Sequence, residues 1–153
     1  MKLGRSAAIA VGIFGLAQLF PYGRDHSNPP AGTEPAWSST EVRTLFYRAC
    51  RDCHTNETTW PWYSHVAPVS WLVQHDVDEG RRHLNVSDWD RKRPRQHGDE
   101  AAEMVQEGEM PLWYYLPLHS SAQLSSDERD RLIAGLKQTF PDSDHKSSGD
   151  HAH

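Results

Sequence analysis

The sequence predicts a small all-α domain. Apolar residues recur at the spacing of one helix face between positions 42 and 49, and again between 132 and 140. No segment alternates with the two-residue period of a strand, and no internal repeat is present. A chain of 153 residues has room for one such domain rather than two.

Two capping boxes mark the starts of the clearest helices. In each, a serine is followed three residues later by a glutamate, so that side chains and backbone N–H groups can satisfy one another. Ser38 with Glu41 opens a helix that runs into Cys50, and Ser125 with Glu128 opens another. The remaining predicted boundaries are 69–84 and 99–107 for two further helices, and Pro141 as the end of the last one.

Residues 1–20 have the character of an export segment. Lys2 and Arg5 precede an apolar run over 7–20 in which Gln18 is the only polar residue. Such a run rises about 21 Å as a helix, less than the roughly 30 Å of a bilayer's hydrocarbon core. This length fits a signal-peptide h-region better than a complete span, yet Gly15-Leu16-Ala17 is only a weak cleavage candidate, so an uncleaved anchor is favoured slightly over a cleaved signal. A buried N-terminal core helix is the remaining alternative. Either export alternative places the body on the periplasmic side of the inner membrane.

Residues 21–36 are predicted to be a Pro-rich linker. Its stretch PYGRDHSNPPAGTEP contains four prolines and two glycines, which favour an extended, poorly packed spacer. The folded body is expected over 37–141. The polar residues 142–153 are expected to form a disordered tail.

The motif Cys50-Arg51-Asp52-Cys53-His54 carries the strongest chemical signal. Covalent haem attachment requires two thiols to add across two vinyl groups and an imidazole to ligate the iron, and CxxCH supplies all three. The motif predicts one haem c, bonded to Cys50 and Cys53, with His54 as the proximal ligand. A backbone carbonyl should accept the other ring N–H of His54, and Pro61 and Pro68 are nearby candidates.

Two other readings of the cysteine pair are open. A thioredoxin-like dithiol expects a strand before CxxC and a βαβ pattern around it, and the sequence shows neither. A structural zinc site expects a second Cys or His pair at matching spacing, and the chain has only these two cysteines. Both readings are weaker than haem attachment.

Met110 is the first candidate for the distal iron ligand. It follows a helix stop at Gly108 and precedes a proline, in a loop where its thioether can turn inward and ligate iron. A methionine that fills a core gap is the alternative. Met104 is a weaker rival within a helix, and His65 would give bis-histidine ligation.

Aromatic residues follow the CxxCH motif and Met110 closely in the sequence. Their rings can cover haem faces, and their N–H and O–H groups can bind propionates, although ordinary core packing explains each one almost as well. The candidates for a haem pocket are Trp60, Trp62, Trp113 and Tyr114.

These residues lie in long, unusual blocks by which the chain resembles the bacterial haem-binding-domain family of single-haem proteins. The blocks are PYGRDHSNPP, CRDCHTNETTWPWYSHVAPVSWLVQHDVDEGRRHLN and EAAEMVQEGEMPLWYYLPLH. The resemblance implies a cytochrome c-like helical domain around a covalent haem, in which the helix before Cys50 packs against the helix over 132–140. It also implies haem c on Cys50, Cys53 and His54. The looser likeness to cytochrome c points to Met110 as the distal ligand.

The expected function is one-electron transfer to redox partner proteins. Carboxylates and histidines are scattered without a recognisable catalytic set, so a carrier is favoured over an enzyme. The alternative is a haem-based sensor or a peroxidase-like enzyme with an open or histidine-ligated distal site. The mild net charge of -5 does not favour nucleic-acid binding.

Overall fold

The regular elements of the computed structural model, which describes residues 2–89 and 97–141, are all helical. The α-helices are α1 (Lys2–Ala17), α2 (Thr40–Ala49), α3 (Arg51–His54), α4 (Val69–His83), α5 (Ala101–Glu107) and α6 (Ser126–Thr139). Short 3-10 helices span Trp62–His65, Val86–Asp88, Leu116–Leu118 and Ser120–Ala122. The prediction of a small all-α domain is confirmed, while the predicted tail over 142–153 lies outside the described residues.

The core is centred on the crossing of α2 and α6. Phe46 and Leu132 are fully buried there, in one apolar cluster with Leu136. A Cβ added at Gly135 would lie 2.0 Å from Cγ2 of Val42, so the glycine lets the two helices approach closely. The implied packing of the helix before Cys50 against the last helix is therefore confirmed.

The start of α2 differs by one residue from the predicted capping box. Ser39, not Ser38, is the N-cap, and its side chain accepts a hydrogen bond from the backbone N–H of Val42. Ser38 instead donates its hydroxyl to the carbonyl oxygen of Gly135 in α6. The second capping box, opened by Ser125, is present as predicted with both of its reciprocal hydrogen bonds.

Helix α1 presents apolar side chains to all sides. Ile9, Val11 and Leu16 are all exposed, as are their apolar neighbours along the helix. In the part of the chain that is described, no helix combines the length and the apolar character needed to cross a membrane.

Apart from a turn at Tyr22 and Gly23, residues 21–36 have no regular secondary structure, and they lie against the helical body. The ring of His26 stacks on Trp60 with 4.4 Å between centroids. The backbone N–H of Gly32 donates to the carbonyl oxygen of Ser87 at 2.7 Å. An extended chain rich in proline forms no internal hydrogen bonds, so its polar groups find partners on the body instead.

Glu34 fastens the C-terminal end of this segment to α2. Its carboxylate accepts two hydrogen bonds from the Arg43 guanidinium, one from the Tyr47 hydroxyl and one from the Trp37 indole. These donors, Arg43 above all, lower the pKa of Glu34 from 4.5 to about 2. An ion pair as well as packing contacts therefore holds residues 21–36 against α2.

Candidate functional site

The CxxCH motif forms a tight turn at the end of α2. Cys50 closes α2 by donating its N–H to Phe46, and it also begins the single turn of α3. The backbone N–H of His54 then donates to the carbonyl oxygen of Cys50 at 3.0 Å. One turn of helix thus presents Cys50, Cys53 and His54 together.

This turn forms part of the wall of a cavity of about 450 Å³. The cavity brings together five of the sequence-predicted site residues: Cys50, Cys53, His54, Met110 and Tyr114. Apolar side chains from several helices line much of the rest, among them Phe46, Leu84, Ala101, Val105, Leu112 and Leu136.

Both cysteines are free thiols. Burial raises the pKa of each to about 12, and the neighbouring Cys53 adds to the shift of Cys50. Both sulfurs are therefore protonated at neutral pH.

The ring of His54 is oriented by the end of α4. Its Nδ1 lies 2.9 Å from the carbonyl oxygen of Leu84, and since a carbonyl only accepts, Nδ1 carries the proton. Leu84 therefore takes the role for which Pro61 and Pro68 were candidates. Burial lowers the pKa of His54, so the ring is neutral and its Nε2 keeps a lone pair for a metal ion.

Gly80 lets α4 approach the CxxCH turn. A Cβ at this position would lie 2.5 Å from the carbonyl oxygen of Cys53 and 2.8 Å from the Cβ of Cys53. Both distances are shorter than real side chains allow. A glycine within a helix usually weakens it, and here the close approach of two backbones explains its place.

Met110 reaches the cavity from the loop after α5. Gly108 ends α5 in a left-handed conformation with φ of 79°, which turns the chain back. The N–H of Met110 then donates to the carbonyl oxygen of Met104 at 3.1 Å, and its side chain packs against the apolar core. Met104 lines the same cavity from α5, so both methionines lie at the site.

The three predicted pocket tryptophans and His65 do not line the cavity. Trp60 is stacked on His26, and His65 meets the edge of the same His26 ring. Trp62 and Trp113 are each 79% exposed, so nothing in the described part of the fold covers most of either ring. The positions of these side chains depend on which surfaces the fold brings together, and the spacing of residues along the sequence does not reveal this.

Sequence reasoning missed a polar stripe on α4. His75, Asp76, Glu79 and His83 all line the cavity. The spacing of His75, Glu79 and His83, four residues apart on one helix face, was the signal that could have found them. Within the described residues, however, no group of His, Cys, Asp and Glu has the geometry of a metal site.

Tyrosine hydroxyls pair with carboxylates on the cavity wall. Tyr115 donates to Asp52, between the two cysteines, at 2.8 Å. Tyr114 donates to both oxygens of Asp76 at 3.2 Å. Burial raises the pKa of Tyr114 to about 12 and also raises that of Asp76.

Residues 12–138 match the family described as haem-binding domain. The chain belongs to this family. The match begins inside α1 and includes the extended segment over 21–36. No curated protein and no solved structure gives a significant match to the chain.

The residues of this haem-binding domain fit a haem. The cavity volume falls within the roughly 300–1,000 Å³ typical of cofactor sites, and the lining is mostly apolar, as such sites are. The thiols of Cys50 and Cys53 and the imidazole of His54 line this cavity, and the His54 nitrogen that is free to bind metal is Nε2. This donor set suits an iron porphyrin better than a bare metal ion.

Proposed function

We propose that this protein is a c-type cytochrome that carries one electron at a time. Cys50 and Cys53 would hold the haem covalently, His54 would ligate its iron, and Met110 would complete the coordination. The observation that carries the proposal is the single cavity that Cys50, Cys53, His54 and Met110 all line, because it brings a distant loop to the same site as the CxxCH turn. The haem, when bound, supplies the iron that changes between its two oxidation states.

The protein's own groups suit this role. The hydrogen bond from His54 to Leu84 orients the imidazole and increases the electron density at Nε2. The thioether of Met110 favours the reduced iron and so raises the reduction potential. If His54 and Met110 both ligated the iron, no coordination site for a substrate would remain, which favours a carrier over a catalyst.

The proposed location is the periplasmic side of the inner membrane. The feature that supports export is Arg5 in the first turn of α1, ahead of the apolar remainder of the helix. The helix is proposed to stay attached and to hold the domain at the membrane, where redox partner proteins would be met.

The test is an absorption spectrum of the protein produced with a c-type maturation system, oxidised and then reduced, beside a denaturing gel stained for haem. We expect covalent haem and a weak sulfur-to-iron charge-transfer band in the oxidised form. A variant with Cys50→Ser and Cys53→Ser is the control, and it should lose the stain. An unstained wild-type band would overturn covalent attachment and return the dithiol and zinc readings.

A second candidate is a haem-based sensor or a peroxidase-like enzyme. The observation in its favour is that His75, His83 and His97 line the cavity, so an imidazole is available on the wall. His65, the distal histidine expected for this alternative, lies outside the cavity. Carbon monoxide binding to the reduced protein separates the two functions, because ready binding requires an open or labile site.

A further inference from the structure

The C-terminal end of α1 is joined to the body through Gln18. Its side-chain amide donates to the carbonyl oxygen of Ala67 at 2.9 Å and accepts from the N–H of Ala67 at 3.0 Å. This reciprocal pair of hydrogen bonds resembles the pairing of two residues in a sheet, and it fixes the position and the orientation of Gln18 relative to Ala67. Arg24 adds a hydrogen bond from its guanidinium to the carbonyl oxygen of Gln18.

Two further contacts fix the residues that follow. The ring of Phe20 meets the edge of Trp71 with 5.8 Å between centroids. Gly23 has φ of +80°, and a Cβ there would lie 2.6 Å from the carbonyl oxygen of Ser70. The backbone after α1 therefore packs directly against the first turn of α4. We call this connection between α1 and the body the joint, and its hydrogen bonds and packing contacts make it rigid.

Apolar side chains surround this joint on its outer side. They come from both partners of the joint, from the residues after α1 and from the first turn of α4. We call them the joint face: Leu19, Phe20, Tyr22, Val69 and Leu72, all of which are exposed. Exposed apolar side chains from two segments that the fold brings together, beside an apolar helix, indicate a surface that is covered in use.

We propose that the joint face rests on a lipid bilayer into which α1 inserts. The proposal depends on the membrane attachment in the proposed function and adds an orientation to it. A helix that is apolar on all sides belongs in a protein core or in lipid, and the apolar residues of α1 are exposed to solvent in this fold. Because the joint is rigid, insertion of α1 brings the joint face to the membrane surface.

The residue types of the joint fit the interface between lipid and water. Tyr22 and Trp71 belong to the two residue types that are enriched at head-group depth. Arg24 beside them supplies a cation for phosphate head groups. Leu19 and Phe20 continue the apolar surface of α1 toward the hydrocarbon.

The test uses the full, haem-loaded chain in vesicles of phosphatidylethanolamine and phosphatidylglycerol. Single variants Leu72→Cys and, as the matched control, Leu118→Cys are reacted with a water-soluble maleimide. Both leucines are well exposed in the fold, at 46% and 68%, so both variants should fold and react. Rates are normalised to those of the urea-unfolded chain, and mass spectrometry of peptides assigns each label.

We expect position 72 to react at least about tenfold more slowly than position 118, because lipid head groups and interfacial side chains shield it from water. Equal normalised rates at the two positions would overturn the proposal. An intact mass that lacks α1 would also overturn it. A gel stained for haem on the same samples reports covalent attachment separately, so failure of the haem proposal is distinguishable from failure of the orientation.

Discussion

Gly80 and Cys53 approach so closely that the carbonyl oxygen of Cys53 lies 2.5 Å from the place where a Cβ of residue 80 would be. The contact joins α4 to the turn that carries both thiols and His54. The spacing of these backbones therefore depends on the absence of one methyl group.

The variant Gly80→Ala should destabilise the fold by about 1–3 kcal/mol, because the new methyl group overpacks the contact and outweighs the better helix propensity of alanine. Denaturant unfolding followed by circular dichroism measures the loss, and haem loading should fall with it. Gly12→Ala is the matched control, since nothing lies within 4 Å of its added Cβ. Equal stability of the two variants would show that α4 can move away at no cost.

Arg81 should not be replaceable by lysine. Its guanidinium donates to the carbonyl oxygen of Thr55 and the hydroxyl of Thr58, each at 2.9 Å, and also to Asn28 in the extended segment. Lysine keeps the charge but loses the planar fork, so Arg81→Lys should cost about 1–3 kcal/mol of unfolding free energy.

The neighbouring arginine offers a control for this prediction. Arg82 is more exposed and binds Glu79 on its own helix, so Arg82→Lys should leave the stability close to that of the wild type. Urea titration of both variants decides the matter. A cost at Arg82 as large as that at Arg81 would point to a general effect of the Arg→Lys change rather than to the hydrogen bonds that Arg81 makes.

Glu34 should make the fold sensitive to acid. Its pKa is lowered from 4.5 to about 2, mainly by the hydrogen bonds from Arg43. A lowered pKa means that the stabilisation is complete above pH 4.5 and is lost as pH falls from about 4.5 to about 2. Because the side chain is 31% exposed, the contribution is discounted to about 1 kcal/mol.

The variant Glu34→Gln should therefore be less stable than the wild type at neutral pH and should lose less stability than the wild type between pH 4.5 and 2. Thermal unfolding across this range measures the slope. Glu41→Gln, which changes a more exposed carboxylate on α2, is the control and should keep the wild-type slope. A wild-type slope in the Glu34 variant would contradict the assignment.

Met110→Ala should remove the sulfur-to-iron band, open the iron to carbon monoxide and lower the reduction potential. The decrease should be on the order of 0.1 V, a fraction of the roughly 0.8 V that axial ligands control. Absorption spectroscopy follows the band and the binding of carbon monoxide, and potentiometry measures the reduction potential. Met104→Ala is the control, since Met104 lines the same cavity from within α5. Loss of the band in the Met104 variant alone would transfer the ligand role to that residue.

Short-range signals in the sequence predicted much of the helical frame. The capping box at Ser125 and the apolar spacing of α2 depend on residues within one or two turns, and both are present. Even the error at the start of α2 is small, because Ser38 and Ser39 are adjacent candidates for one N-cap and the contacts of Ser38 with Gly135 and Thr139 in α6 separate them.

Long-range contacts explain what the sequence did not predict. The partner of His54 is a backbone carbonyl, that of Leu84, and every residue has such a group, so side-chain type gives no signal. Trp60 and Trp62 are close in sequence, yet a histidine from the extended segment stacks on the first while the second is exposed. These outcomes depend on which surfaces the fold brings together.

The attachment of residues 21–36 to the body changes how far the domain can travel. A free chain of this length would let the attached domain move over roughly 20 Å relative to α1. Because contacts of His26, Gly32 and Glu34 hold the segment against the body, it does not give the domain this freedom of movement. If α1 holds the domain at a membrane, as proposed, encounters with partners would depend on lateral diffusion and on which side of the domain faces away from the lipid.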